Sequence, residues 1–354
     1  VGIFETGLDS FDPTTQKVVH YRHNPADPTS LGNDTVRSVF EDSAGRLWVG
    51  TQGGGLGRLD RGTNVFHHHP LGEAAGTDDV RAIAEDHDGA IWVGTNGGGL
   101  YRLDPLTGEV ARFANDPEDD GSLADDSVAA ILVDHTGTLW IGTYGGGLDA
   151  HDAASGRFIH HRADPDDPKA LSSDLVSALV EDHQGTIWVG TDGGGLNRYI
   201  PSRGTFQSYR RDPLDRSSLS SDRIFCLYQD RSRVLWIGTY GGGLSKFDVS
   251  RKQFRRYSND PDDDNSLSHD IVWSFWADPD GAMRIGTDSG GLNRWNPRTG
   301  RWQHYRHRAD NPASLSHDTV RVVYGTRDGA IWIGTNGGGV NHFDRSSGGF
   351  VRYL

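Results

Sequence analysis

A single cysteine stands in 354 residues. Cys226 therefore has no partner for an internal disulfide, and its scarcity fixes no redox compartment. It lies in the apolar run Ile224-Phe225-Cys226-Leu227-Tyr228, where a small buried hydrophobe is expected rather than a reactive thiol. Basic charge is also short: 35 Lys and Arg against 49 Asp and Glu leave a formal net charge of −14. Neutralising phosphates needs a basic stripe, so no nucleic-acid partner is expected, and an anionic membrane surface is a poor partner as well. No apolar run reaches the roughly 18 residues of a membrane-spanning helix. Direct membrane insertion is therefore not expected, and no signal peptide pattern opens the sequence. Catalytic signatures are missing too: the sequence contains no G-x-S-x-G elbow, no HExxH and no P-loop. Neither a catalytic constellation nor a cofactor is expected.

What is abundant is glycine, with 48 copies, beside ten Trp and thirteen Phe. Such an aromatic content can bury far more surface than a disordered chain does. The glycines fall in a repeat. The pattern LWVGT-x-GGGL begins at Leu47, Ile91, Leu139, Ile187, Leu235, Met283 and Ile331, at spacings of 44 and then 48 five times over. Each copy divides into four short strands with a turn signal between each pair. In the first copy these are Val36 to Glu41, Leu47 to Thr51, Leu56 to Asp60 and Val65 to His69. Turns such as Asp104-Pro105-Leu106-Thr107-Gly108 supply the fixed φ and then the positive φ of tight hairpins.

Strands joined by short hairpins are antiparallel neighbours, so each copy reads as a four-stranded meander. Sheets of this size repeated every 40–50 residues or so are the blades of a propeller. The fold class is thus all-β, a β-propeller of four-stranded antiparallel blades, seven-bladed as first choice and eight-bladed as the rival. An open array would leave its end blades uncovered. Residues 30–354 carry the seven repeats. Residues 1–29 read as a partial extra repeat, strands two to four of a blade, with Val1-Gly2 aligned on the VG of the signature. A chain that starts in mid-repeat is expected to be a piece of something longer. Trp48, Trp92, Trp140, Trp188, Trp236 and Trp332 mark the second strands, and Gly two positions later leaves room for a close neighbour. The sixth copy has Arg284 in the Trp position, so that blade must pack differently or send Arg284 to solvent or a carboxylate.

The LWIGT-x-GGGL-x-x-FD core resembles the two-component regulator propeller repeats of bacterial hybrid histidine kinases and diguanylate cyclases. So do the loops His23-Asn24-Pro25-Ala26-Asp27-Pro28-Thr29-Ser30-Leu31 and Asn259-Asp260-Pro261-Asp262-Asp263-Asp264-Asn265-Ser266-Leu267. The resemblance implies a periplasmic or extracytoplasmic ligand-binding propeller, often answering to carbohydrates, that signals through a membrane to an output domain. The family carries no fixed catalytic residues. A homodimer formed through receptor regions outside this chain is the oligomeric state it implies.

Comparison among the copies separates blade positions from positions free to serve a ligand. The residue between Thr and the glycines is Gln52, Asn96, Tyr144, Asp192, Tyr240, Asp288 or Asn336: it varies, and it sits at a glycine turn that lets a ligand approach backbone. The residue after the first-strand Val/Ile is Arg37, Arg81, Ala129, Ser177, Phe225, Trp273 or Arg321. Arg offers a planar donor fork and Trp a stacking face, which would suit an acidic or sugar ligand in the central funnel. The plainer alternatives are an exposed polar turn and an inter-blade filler. Asp34, Asp78, Asp126, Asp174, Asp222, Asp270 and Asp318 recur in every copy; that uniformity suits a structural acceptor of loop N–H groups better than a metal ring. Asp-rich loops such as Asp116-Pro117-Glu118-Asp119-Asp120 lack EF-hand spacing and read as solvated turns. His67-His68-His69 lies on a strand, where neighbours point to opposite faces, and reads against zinc. The short loop Pro70 to Thr77 would leave a notch in the rim as a ligand entry. These residues point to a non-enzymatic sensor propeller taking a small-molecule or oligosaccharide ligand. A propeller lyase using Tyr144, Tyr240, Asp192 or Asp288 is one alternative, and a protein-interaction scaffold is another.

Overall fold

A strand with Trp on one face and Leu, Ile or Val on the other has no side to give to water. In the computed structural model of the chain, which describes residues 2–3, 7–12, 17–72, 76–248, 253–326 and 329–353, both sides are covered. Every regular element among the described residues is a β-strand, and no helix among them is long and apolar enough to cross a membrane. Seven four-stranded antiparallel sheets span 36–69, 80–113, 128–161, 176–209, 224–257, 272–305 and 320–353, each a meander in chain order. They are the blades of a β-propeller. Gly2–Ile3, Gly7–Asp12 and Lys17–Tyr21 form a further, three-stranded sheet. Residues 1, 4–6 and 13–16 of the segment read as a partial repeat lie outside the described residues, as do 73–75 of the short Pro70–Thr77 loop. Two compact units divide the chain: one contains 20–208, with the first four blades up to Ser208, and the other contains 209–354 with 3–19.

Within each unit the blades meet through one recurring contact. The glycine two residues after Trp faces the first-strand Val of the following blade. A Cβ built on Gly94 would come 2.5 Å from Val128 Cγ1, one on Gly142 2.5 Å from Val176 Cγ1, and one on Gly286 2.7 Å from Val320 Cγ1. Those valines are themselves fully buried. Any side chain at the glycine would push the next blade away.

The second-strand tryptophans are tied as well as packed. The indole N–H donates to the Asp that opens the preceding turn: Trp48 to Asp42 at 2.8 Å, Trp92 to Asp86 at 2.8 Å, Trp140 to Asp134 at 2.9 Å, Trp188 to Asp182 at 2.9 Å and Trp236 to Asp230 at 2.8 Å. The other oxygen of the same carboxylate receives turn N–H groups, as Asp42 does from Ala44 and Arg46. In the sixth blade Arg284 takes the place of Trp and reaches the equivalent carboxylate, with Nε 3.0 Å from both oxygens of Asp278. It is 2% exposed, and its guanidinium lies 4.2 Å from the Phe343 ring of the seventh blade. Of the alternatives open from sequence, the carboxylate is the one realised.

The recurring Asp before each blade acts as a structural hub. Its carboxylate accepts the backbone N–H of the residue eleven positions earlier in six copies, from His23–Asp34 at 2.7 Å to His307–Asp318 at 2.6 Å. Its carbonyl accepts from the glycine turn of the preceding blade, as Asp126 does from Gly97 and Gly99 and Asp270 from Gly241 and Gly243. The Asp-rich loops are closed on themselves: Asp116 and Ser122 exchange bonds at 2.9 and 3.0 Å, and Asp212 and Ser218 do the same at 2.7 and 3.0 Å. Hydrogen bonds from their own loops hold the Asp27, Asp119 and Asp215 carboxyls below the usual range.

The three consecutive histidines divide as strand alternation requires. His68 bonds the Ser30 carbonyl at 2.9 Å, while His69 packs on Trp48 with ring centroids 5.0 Å apart. Burial pushes His69 down to about 4. Burial likewise lowers His151, packed on Trp92, and His161, packed on Trp140. Cys226 directs its sulfur at the Val272 carbonyl (3.9 Å), and burial pushes the thiol up to about 12, as suits an inert core group.

Gly142→Ala is expected to lower the urea unfolding midpoint, by an equivalent of about 1–3 kcal/mol, because the new methyl overpacks against Val176. The penalty should shrink in a Val176→Ala background, and full additivity of the two changes would rule the contact out as its cause. Asp278→Ala leaves the Arg284 guanidinium buried without its partner and should cost about 3–5 kcal/mol. A pH effect follows from His69, which stays neutral to about pH 4 when folded against 6.5 when free. The unfolded state binds more protons between those values, so stability falls as pH drops from 6.5 toward 4. His69→Phe should flatten that limb of the stability profile; an unchanged slope would remove His69 as its source.

Candidate functional site

The residue after the first-strand Val/Ile is a β-bulge in every blade. Pairing with the second strand jumps from Val36 to Ser38, Val80 to Ala82, Val128 to Ala130, Val176 to Ala178, Ile224 to Cys226, Val272 to Ser274 and Val320 to Val322. Arg37, Arg81, Ala129, Ser177, Phe225, Trp273 and Arg321 are the residues passed over. A bulge frees a side chain from the pleat and re-aims it, which is why bulges gather beside functional sites. The variable turn residue stands next to it. Its backbone N–H donates to the residue before the same first strand, as Gln52 does to Thr35, Asn96 to Asp79, Tyr144 to Ser127 and Asp192 to Leu175. The same holds for Tyr240 to Arg223, Asp288 to Ile271 and Asn336 to Thr319. The backbone is locked while the side chain is free to differ.

In the unit containing 20–208 these side chains form a polar chain across blades. Arg37 Nη2 donates to Gln52 Oε1 at 2.5 Å and its Nε lies 4.0 Å from Asp79 Oδ1. Asn96 Nδ2 donates to the other Asp79 oxygen at 3.0 Å. The Tyr144 hydroxyl donates to Asp192 Oδ2 at 2.7 Å, joining the third and fourth blades, and its ring is 41% exposed. Arg81 is half-buried and makes no hydrogen bond or ion pair with another described residue. It holds a guanidinium at a bulge without an acceptor among the described residues.

In the unit containing 209–354 the same positions form a stack. Phe225 and Trp273, from successive blades, lie parallel with centroids 4.7 Å apart and planes at 10°. The Arg321 guanidinium of the seventh blade sits 3.9 Å from the Trp273 ring. At the other end Tyr240 meets Phe225 edge-on at 5.4 Å and carries the Arg223 guanidinium 4.4 Å from its ring. Trp273 Nε1 points to Asp288 Oδ1 at 3.4 Å, and the side chain of Asn336 has no hydrogen bond to a described residue. Two cations thus cap a row of three aromatic rings, an arrangement each guanidinium–ring contact stabilises.

The structure brings Arg37, Gln52 and Asn96 together through Asp79, pairs Tyr144 with Asp192, and gathers Tyr240, Trp273, Asp288 and Arg321 into one arc. Trp273 is flanked by Phe225 and Arg321, so its faces are used within the protein. Tyr144 and Tyr240, each 41% exposed, are the predicted rings open to solvent. Sequence reasoning passed over Asp79 and Arg223. Both occupy the position just before the first-strand Val/Ile, which reads Thr35, Asp79, Ser127, Leu175, Arg223, Ile271 and Thr319. Its variability among copies was the available signal.

The two-component regulator propeller family model matches residues 30–53, 76–97, 122–145, 170–193, 218–241 and 314–337. The matched segments leave out the sixth repeat, whose signature reads Met283-Arg284 and Asp288-Ser289. No curated protein matches the sequence. Among solved structures, the extracellular domain of BT4673, a B. thetaiotaomicron protein assigned to the one-component and hybrid two-component systems, is 19% identical with a TM-score of 0.42; the match covers 98% of this chain and 52% of that one. The chain spans about half the length of that domain. Virginiamycin B lyase from Staphylococcus aureus is 13% identical with a TM-score of 0.58, over 90% of this chain and 95% of that one. The Dos1 propeller is 13% identical with a TM-score of 0.61, over 94% and 83%. These likenesses concern the fold. Six of the seven blades accordingly carry repeats of the two-component regulator propeller family.

Proposed function

We propose that the chain is a non-enzymatic ligand-binding propeller of an extracytoplasmic bacterial sensor, and that its ligand is a carbohydrate or oligosaccharide held by the bulge and turn residues. The observation that carries this reading is the bulge at one equivalent position in seven blades, filled by five different residue types. A position that served only the blade would be uniform, as the Asp hubs are in all seven copies and the tryptophans in six. Exposed Tyr240 beside Arg223, and Tyr144 beside Asp192, offer a stacking face next to a polar group, which is the pairing a sugar ring uses. Arg81 adds a donor fork with no competing acceptor among the described residues. The role in signalling and the location rest on the repeat family.

A thermal-shift screen of the chain against neutral and acidic oligosaccharides tests this. A ligand at a hundredfold excess over its Kd adds about 2.7 kcal/mol, a readable shift. Arg81→Ala is expected to reduce the shift without lowering the melting temperature of the free chain, and Tyr240→Ala to reduce it while lowering that temperature slightly through the lost Arg223 contact. Recovery of the sugar intact is expected; its breakdown would move the reading to a lyase. The absence of a shift with every glycan would sink the carbohydrate class.

A further inference from the structure

In five blades a side chain of the fourth strand reaches back to the loop that precedes the blade, and the residue that does so decides whether the loop is filled. In the fifth blade Arg256 Nε donates to Ser218 O at 2.8 Å, and its Nη2 donates to Asp212 O at 3.1 Å, Asp215 O at 2.7 Å and the Ser218 hydroxyl. In the seventh blade Arg352 repeats this on Ser314 O at 2.7 Å, Arg308 O at 3.4 Å and Asn311 O at 2.8 Å. A guanidinium is thus the natural occupant of the loop: its planar fork matches three carbonyls that converge on one point.

The third blade has His160 at that position. In the first and sixth blades, which also carry histidine there, His68 bonds Ser30 O at 2.9 Å and His304 bonds Ser266 O at 2.7 Å, taking the carbonyl that the Arg Nε takes. His160 is drawn elsewhere. Its Nδ1 lies 2.6 Å from Oδ1 of the fully buried Asp149, and its Nε2 lies 2.8 Å from Asp120 O. Asp149 is fixed in turn by the Ala124 N–H at 2.8 Å. With the ring held at one side, the loop is left open. A pocket of about 610 Å³ lies there, lined by Asp116, Asp119, Asp120, Ser122, His160 and Arg162 among others. Asp116, Asp119 and Ser122 are the equivalents of the residues whose carbonyls hold Arg256 and Arg352, two and four repeats of 48 residues further on.

We infer that this third-blade pocket is a site for the guanidinium group of a small-molecule ligand, which takes the place that the chain's own arginine fills in the fifth and seventh blades. The charge around it suits a cation. Among the described residues the Asp116 carboxylate accepts only the Glu118 N–H, at 3.0 Å, and the Asp120 carboxylate has no partner. Asp119 is already paired with Arg157 at 2.5 Å. Arg162 is the opposing cation at the rim; it is exposed and forms no ion pair with a described residue, so it can turn to solvent or meet an anionic group on the same ligand.

Titration calorimetry of the 354-residue chain with agmatine tests the site. Saturable binding is expected, and His160→Arg should abolish it by filling the loop with its own guanidinium, while raising rather than lowering the melting temperature. Failure of the chain to bind agmatine would overturn the proposal, as would unchanged affinity in a folded His160→Arg variant. Should that variant not fold, Asp120→Asn serves instead: loss of one surface charge is expected to weaken binding about threefold, and an unaltered Kd would count against the site.

Discussion

A glycine that cannot be anything else sets the distance between neighbouring blades. At Gly94 and Gly142 the next blade's valine sits where a Cβ would be, so the sheets approach until backbone meets side chain. Everything apolar in the second strand then finds itself covered on both faces. That approach also brings the glycine turn of one blade within hydrogen-bond reach of the Asp that opens the next, so the backbone carbonyl of Asp126 or Asp270 can take two N–H groups at once. Packing and hydrogen bonding enforce the same spacing, and neither tolerates a bulkier neighbour.

The spacing has a consequence for function. With the interior of each blade dictated by its neighbours, variation is confined to positions whose side chains leave the pleat. The bulge after the first-strand Val/Ile is such a position, and the residue before the glycine turn is another. One repeat unit can therefore present arginine, tryptophan, phenylalanine, alanine or serine at the same place without altering the blade. The sixth blade shows how far the frame stretches. Arg284 replaces a tryptophan at a buried site, and it does so by keeping the partner: the carboxylate that accepts an indole N–H in five other blades accepts a guanidinium there. A buried charge is tolerable when its counter-charge is already built in.

Much of this was legible in the chain. The repeat, its four strands and the fold class follow from a period of 48 residues with turn chemistry at fixed offsets. The structural part of the Asp set was legible from its uniformity, since a group needed by every blade appears in every blade. Asp79 and Arg223 were overlooked because their position varies without an obvious chemical theme, and a reading that looked for themes passed over it. The stack of Phe225, Trp273 and Arg321 was half visible: the residues were singled out, but as faces for a ligand rather than for one another.

The sequence by itself determined the blade, because alternation, turn residues and glycine placement act over a few residues and need no partner to be read. Tertiary structure alone decided which variable side chains meet. Arg37 lies on the first repeat and Asp79 on the second, and their approach depends on the angle between successive blades, which no local pattern encodes. The same is true of His160. Its residue type was plain, yet whether it filled its loop or left it open was settled by a buried carboxylate on the adjacent strand that pulls the ring aside.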